Sequence, residues 1–430
     1  MKIMLVNPPN AGRSIPEEEY GITSIRQIFR GEPFSLEVIA APLTAHDVII
    51  VDLKCEDEAY LWAQCDRFEP DVIGFTSLTC EANAVIRLSG EIKRRGKALV
   101  VVGGIHATLD PACFNCTGID YVVIGLGKKS FADLVNGLAG GRGGAAVPGV
   151  AKTSPGTPLT FSPRRYGADD LMESNPPRYD LVASWRDGYT IERLGLRMGS
   201  VVTAYGCTHR CSFCAIPETA GGQYLTHQTA SVIRDIQCLG DIPFIRMVDA
   251  NTFGNPRAAE ELCDAIVASS IRKRFFADVR VDTIVRHPSL LKRWKEAGLY
   301  AVVVGFEELQ PERLRTYEKM YDEAAIRRAV SILHELGLVI VGDFIIAPDY
   351  DEIEFRDVEK FIIENKIQIP VLSILTPLPG TPLYESMKGQ ITVRDLDYYT
   401  FTNAVVPTAM PEKAFYEAYS ELVRRLHGKV

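Results

Sequence analysis

The sequence predicts an α/β protein built as two successive units, and three observations carry that expectation. Short apolar runs recur through the first 140 residues with helix-like stretches between them. Six further runs of the same kind begin near residue 200. Between the two sets, residues 137–176 lack apolar periodicity and are rich in Gly, Pro, Ser and Thr. Apolar runs alternating with helical patterns indicate parallel, doubly wound sheets covered on both faces. A Gly- and Pro-rich interruption indicates a linker. The expected division is a first domain at 1–138, a linker at 139–195, a second α/β domain at 196–384 and a short C-terminal tail at 385–430.

Size and composition agree with this division. A chain of 430 residues is too long for one ordinary core. Apolar content of 47% and charged content of 24% are those of a globular protein. No uninterrupted apolar stretch approaches the roughly 18 residues a membrane helix needs. A net charge of −8 argues against a nucleic-acid backbone as partner. Ten scattered Cys, with no signal-peptide pattern ahead of them, read as thiols kept in a reducing cytoplasm rather than a disulfide framework.

In the first unit the expected strands are Lys2–Val6, Asp47–Asp52, Asp71–Phe75, Ala98–Val102 and Tyr121–Ile124. In a doubly wound sheet, ligands sit beyond the carboxyl ends of the strands. Those ends are small and polar here: Asn7-Pro8-Pro9, Thr76-Ser77-Leu78-Thr79, Gly103-Gly104-Ile105-His106-Ala107-Thr108 and Gly125-Leu126-Gly127. Such residues let a backbone come close to a large flat ligand. Any one of these turns alone is as common in a purely structural loop.

In the second unit the first strand is expected at Val201–Tyr205 and the second ends at Asp249. The remaining four are placed at Phe275–Val281, Ala301–Glu308, Leu338–Ile346 and Val371–Leu375. Directly after the first comes Cys207-Thr208-His209-Arg210-Cys211-Ser212-Phe213-Cys214, a C-x3-C-x2-C spacing. Three thiolates this close reach one small metal centre without closing a four-ligand site. A [4Fe–4S] cluster so held keeps one iron open for chemistry. A structural zinc site would want a fourth ligand in a matching pair; His209 lies in a crowded loop and Cys238 has no paired partner.

The cysteine run resembles the signature of radical S-adenosylmethionine (SAM) enzymes, and Phe213 fits that family's aromatic residue before the last Cys. The four turns ahead of it resemble the Rossmann-like cobalamin-binding domain of the B12-dependent branch. The resemblance covers nearly the whole chain. It implies a partial (β/α)6 barrel, a [4Fe–4S] cluster on Cys207, Cys211 and Cys214, and SAM bound at the open iron. It implies cobalamin, in its methylcobalamin form during turnover, against Asn7, Pro8, Pro9, Thr76, Ser77, Leu78, Thr79, Gly103, Gly104, His106, Ala107, Gly125, Leu126 and Gly127. By the same resemblance Asp249 and Asn251 contact the SAM amino group, Arg280 its carboxylate, Glu307 its ribose or amino group, and Leu378 flanks the adenine.

One departure bears on the cobalt. Cobalamin modules like that of methionine synthase carry D-x-H-x-x-G after the second strand, and the His ligates cobalt from below. The corresponding run here is Asp52-Leu53-Lys54-Cys55-Glu56-Asp57, with Lys54 for His and Asp57 for Gly. No His is then expected on the lower face; Leu78 is the expected cover, and His106 is expected at the corrin edge.

The implied activity is C-methylation of an unactivated sp3 carbon, using SAM once as methyl source and once as radical source, with an external one-electron donor. The compact length and short tail are similar to the branch that methylates a glutamine α-carbon in methyl-coenzyme M reductase, a peptidyl substrate. Ring contraction or cyclisation with the same cofactors, a lipid or natural-product substrate, and a cobalamin sensor with a vestigial cluster are the alternatives. The tail, with Phe401–Pro407 and a helical stretch over 411–426, is read either as a lid contacting substrate or as a helix sealing the barrel bottom.

Overall fold

The structure is a computed structural model in which residues 1–23, 31–144, 147–171, 175–191 and 196–427 are described. The expected linker therefore falls partly outside the described residues.

The first unit is a six-stranded sheet of β1 (Lys2–Asn7), β2 (Asp47–Asp52), β3 (Val72–Phe75), β4 (Leu99–Val102), β5 (Tyr121–Val123) and β6 (Val150–Lys152), in the order β2-β1-β3-β4-β5-β6. The first five are parallel and β6 joins antiparallel at the edge. Alternation within the strands separates two cores. Ile3, Leu5, Val72 and Val101 face one layer of helices; Met4, Val6, Ile73 and Val102 face the other. With both faces covered, the strands read as continuous apolar runs, which is why they were visible in the sequence. In this strand order the crossover direction reverses between β1 and β3, and the crevice beyond that point is where such sheets bind ligands.

The second unit holds β8 (Leu196–Val201), β11 (Phe244–Met247), β12 (Arg274–Val279), β13 (Leu299–Glu307), β14 (Val339–Ile346) and β15 (Ile369–Ile374), six parallel strands in sequential order. A short β7 (Thr190–Ile191) adds antiparallel to β8. The first barrel strand thus precedes the stretch expected for it. Residues 204–206 form β9 (Ala204–Gly206), which pairs instead with β10 (Tyr224–Thr226) as a separate antiparallel ribbon. The cause is Asp249. Val248 N–H still bonds the Val201 carbonyl, but the Asp249 carboxylate then accepts from the backbone N–H of Thr203 at 2.6 Å and of Ala204 at 2.9 Å. A side chain has taken the place of the next ladder partner.

The described part of the linker is structural. β6 lies within it, and a 3-10 segment at Tyr179–Gly188 stitches the two units together. Tyr179 Oη donates to the Ser200 carbonyl of β8 at 2.9 Å, Trp185 Nε1 donates to Glu56 at 2.8 Å, and Tyr189 Oη donates to Asp52 at 3.0 Å. In the tail, the helix Glu412–His427 packs along the helix Glu352–Glu364 and the edge strand β15. Tyr419 Oη donates to the Leu372 carbonyl at 2.8 Å, and Phe415, Tyr416 and Leu422 join the barrel's main core. The helix extends the barrel layer beside its open edge; it is neither a lid nor a bottom plug.

Candidate functional site

A cavity of about 1290 Å³ lies between the carboxyl ends of the first sheet and the barrel. On its first wall the ends of β1 and β3 contribute Asn7 and Thr76, the switch point of the sheet. Gly103 and Gly104 line it after β4, and Gly125, Leu126 and Gly127 after β5. Gly104 has φ +100, and a Cβ there would stand 2.6 Å from Ser77 N and 2.8 Å from Thr76 Oγ1. Only glycine permits this meeting of the third and fourth turns. Thr108 Oγ1 donates to the Gly104 carbonyl and accepts from Gly125 N–H, both at 2.9 Å, fastening the fourth turn to the fifth. Gly104→Ala is expected to abolish cobalamin retention while leaving the iron content of the barrel unchanged, measured by cobalt and iron stoichiometry after reconstitution.

The run after β2 is tied to the third turn through Lys54. Its ammonium pairs with Glu81 at 2.8 Å, and the other Glu81 oxygen accepts from Leu78 N–H at 2.8 Å. Lys54 N–H in turn donates to Asp52, a fully buried carboxylate that also accepts from Asn7 Nδ2 at 2.7 Å. The residue that stands where other modules have a cobalt-ligating His is therefore committed to holding the third turn. That turn presents Leu78, which lines the cavity and is 44% exposed.

Six of the expected cobalamin-side residues are placed otherwise. Pro8, Pro9, Ser77, Thr79, His106 and Ala107 do not line the cavity. His106 is fully buried and packs edge-on against Phe114, ring centroids 5.5 Å apart. Neither ring nitrogen has a hydrogen-bond partner, and burial holds its pKa below the usual histidine value. His106 thus packs inward, beside the turn that lines the cavity. Asn10, Glu32 and Glu81 line the cavity and were not singled out from the sequence; they lie outside the small-residue turns and gave no local signal.

On the barrel side, the cysteine loop leaves β9 and runs into the short helix Ile216–Thr219. Cys214 N–H closes a turn on the Cys211 carbonyl at 3.0 Å. Ser212 is clamped on both sides: its hydroxyl donates to the Thr316 carbonyl at 2.8 Å, and its carbonyl accepts from Leu383 N–H at 2.9 Å. Phe213 packs edge-on against Tyr317 at 5.5 Å. Tyr205, Ile216 and Thr219, which flank the loop, line the cavity.

Two cations approach the thiols. Arg280 Nη1 stands 3.7 Å from Cys211 Sγ, while its Nε donates to Asp282 at 3.0 Å. Lys319 is buried, pairs with Glu307 at 2.8 Å and lies 5.7 Å from the Phe213 ring centre. Burial alone would lower the Lys319 ammonium; the Glu307 carboxylate, with Tyr321 and Cys211 beside it, outweighs that and raises it. Burial raises the Cys207 thiol and lifts Cys214 to about 11, so these thiols ionise only with help from positive charge. Among the described residues no group of three His, Cys, Asp or Glu is gathered around the position of a single ion. A cubane cluster takes its cysteines on separate irons, and the loop with its two cations suits that donor set.

The remaining expected SAM contacts divide. Asn251 is buried with both amide atoms unpartnered, an orphan that a bound ligand would satisfy. Glu307 follows a β-bulge, has φ +63, and is engaged by Lys319 rather than free. Asp249 is fully committed to Thr203 and Ala204, including the Thr203 hydroxyl at 2.7 Å. Burial raises its carboxyl against those hydrogen bonds. In this arrangement it shapes the loop that leads to the cysteines. Leu378 is buried against Ala215, Tyr399 and Val405, next to the end of the cysteine loop. Lys319 was missed from the sequence, since nothing local ties it to Glu307 twelve positions earlier.

Comparison with known proteins agrees with this division of labour. The B12 binding domain family matches residues 28–135, and the radical SAM superfamily matches residues 201–362. The hopanoid C-3 methylase of Methylococcus capsulatus is 30% identical over 404 residues, covering 92% of this chain and 76% of that protein. The bacteriochlorophyllide d C-12(1)-methyltransferase of Chlorobaculum tepidum is 27% identical over 83% of this chain and 75% of its own length. Among solved structures, the radical SAM methyltransferase TsrM from Kitasatospora setae, with cobalamin and a [4Fe–4S] cluster bound, shares the fold at a TM-score of 0.74. Its sequence identity is 19%, over 98% of this chain and 90% of that one. With both domains matched and the methylase likeness spanning them, the chain belongs to the cobalamin-dependent radical SAM methyltransferases, enzymes whose cofactors are a [4Fe–4S] cluster, SAM and cobalamin.

Proposed function

We propose that this protein transfers a methyl group to an unactivated sp3 carbon of a substrate held in the cavity between its two units. The observation that carries this reading is that the four turns of the first unit and the flanks of the cysteine loop border the same cavity. When bound, cobalamin supplies a transferable methyl group, and the cluster with SAM supplies hydrogen-atom abstraction. The chain's own residues place the two. Gly104 allows close approach on the first wall, and Leu78, fixed by Glu81 and Lys54, covers the lower face with hydrocarbon. Arg280 supports the Cys211 thiolate, and the unpartnered amide of Asn251 is available to SAM.

Of the substrates weighed from the sequence, the glutamine of methyl-coenzyme M reductase has no counterpart in the names of the relatives above. Those names specify hopanoid and bacteriochlorophyllide, both ring systems. A ring-bearing substrate is the reading retained, with an external one-electron donor and a reducing cytoplasm as its setting. No helix among the described residues is long and apolar enough to cross a membrane.

The test is isotopic. With methyl-labelled SAM and candidate ring substrates, labelled methyl should appear in the product together with S-adenosylhomocysteine and 5′-deoxyadenosine. A product lacking the label would discard methylation and leave radical chemistry standing. The lower-face assignment has its own readout. The Co(II) form of the wild-type protein should show no nitrogen superhyperfine splitting in its electron paramagnetic resonance spectrum, and Leu78→His should introduce it.

A further inference from the structure

We infer that Phe401 is the substrate-binding wall of this cavity and that the site selects a neutral, largely apolar ring skeleton. This rests on the methyl-transfer reading above.

Three large apolar side chains that line the cavity are left open to it: Leu78 at 44%, Val248 at 40% and Phe401 at 46% exposure. Leu78 belongs to the cobalamin-side wall. Val248 and Phe401 belong to the barrel side, across from the turns. Leaving such groups uncovered runs against folding, so their convergence on one cavity marks a place for an apolar ligand.

Phe401 is also held in a conformation that folding alone disfavours. Its φ is +64, the left-handed region that an aromatic L-residue rarely occupies. The surroundings over-determine it. Its carbonyl accepts from Ile374 N–H at 2.7 Å, and Thr400 and Thr402 share a hydroxyl hydrogen bond of 2.8 Å across it. The fully buried Asn403 then locks the loop. Its Nδ2 donates to the Arg13 carbonyl at 2.9 Å, the Tyr398 carbonyl at 2.7 Å and Thr400 Oγ1 at 2.9 Å; its Oδ1 accepts from Ile15 N–H at 2.8 Å. Strain retained by this many contacts, on a side chain that covers nothing, points to a function.

The charge pattern sets the ligand class. Four charged residues line the cavity, and each is paired inside the protein: Lys54 with Glu81, Glu32 with Arg186, and Arg246 with Asp278. None is left to neutralise a carboxylate or an ammonium. The polar groups beside Phe401 are hydroxyls, those of Ser373, Thr400 and Thr402. They suit a substrate hydroxyl or carbonyl at most.

The experiment uses the reconstituted holoenzyme under anaerobic conditions. The probe is dehydroergosterol, a neutral fluorescent polycycle, and its anionic hemisuccinate is the charged comparator. Wild type should bind the neutral probe, with the hemisuccinate weaker by about tenfold or more. Phe401→Gly suits the left-handed backbone and should weaken the neutral probe about tenfold, with cobalt content unchanged and Tm no lower than wild type. Four results would overturn the inference: no binding of the neutral probe to wild type, equal binding of the anion, unchanged binding by Phe401→Gly, or a loss of binding accompanied by a fall in Tm or cobalt content. These readouts need no turnover. Failure of the isotopic test with intact Phe401-dependent binding would therefore reject methyl transfer and not this site.

Discussion

Cys211→Ala protein is expected to retain cobalamin and lose SAM cleavage. The cobalamin-side turns belong to the other sheet, so the cobalt absorbance spectrum and stoichiometry should match wild type. Cys211 is buried, is clamped by its turn to Cys214, and is the thiol that Arg280 reaches. With two cysteines left, no cluster with one open iron can form. Formation of 5′-deoxyadenosine should fall below about a thousandth of wild type, a barrier increase of about 4 kcal/mol. Iron analysis would separate a missing cluster from an inactive one. Full activity in this variant would overturn the radical assignment and revive a cobalamin-sensing role.

The second large effect concerns the Lys319–Glu307 pair. Both side chains are buried beside the cysteine loop. Removing one partner strands the other charge in a low-dielectric site, which costs about 3–5 kcal/mol. Glu307→Ala is expected to lose that much stability in chemical denaturation, and Lys319→Met a similar amount. The double variant Glu307→Gln/Lys319→Met should recover most of it, because neither charge is then left alone. Additive losses would show that the two do not act as a pair. Since Lys319 also lies close to Cys211 electrostatically, the double variant should shift the cluster's reduction potential even where stability returns.

Much of this architecture was legible from residue pattern, for identifiable reasons. The β1, β3 and β4 segments are buried on both faces, so their apolar runs carry no polar interruption to confuse them. The cysteine spacing announces a three-thiolate site without any tertiary information. What escaped depended on contacts across the fold. Val201–Tyr205 reads as one strand, and only the arrival of Asp249 from β11 ends the ladder at Val201. Asp249 was assigned to SAM by resemblance alone; its bonds to Thr203 and Ala204, 46 and 45 positions away, were not legible in the sequence. His106 resembled a cofactor-facing residue because its loop does face the cavity, yet the helix Ile105–Leu109 turns that one side chain toward Phe114. Lys54 was read only as standing where other modules carry His, while its ion pair required seeing Glu81 beside it.

The Asn403 knot joins residues 13–15 to residues 398–403. Protein is made from the N-terminus, and domains generally fold as they emerge. The last strand of the first sheet ends at residue 152. The segment at Arg13 and Ile15 then waits for a partner translated 388 residues after Ile15. The first sheet is thus made well before the Phe401 loop, and the knot that ties its N-terminal segment to that loop closes only after both units have been synthesised.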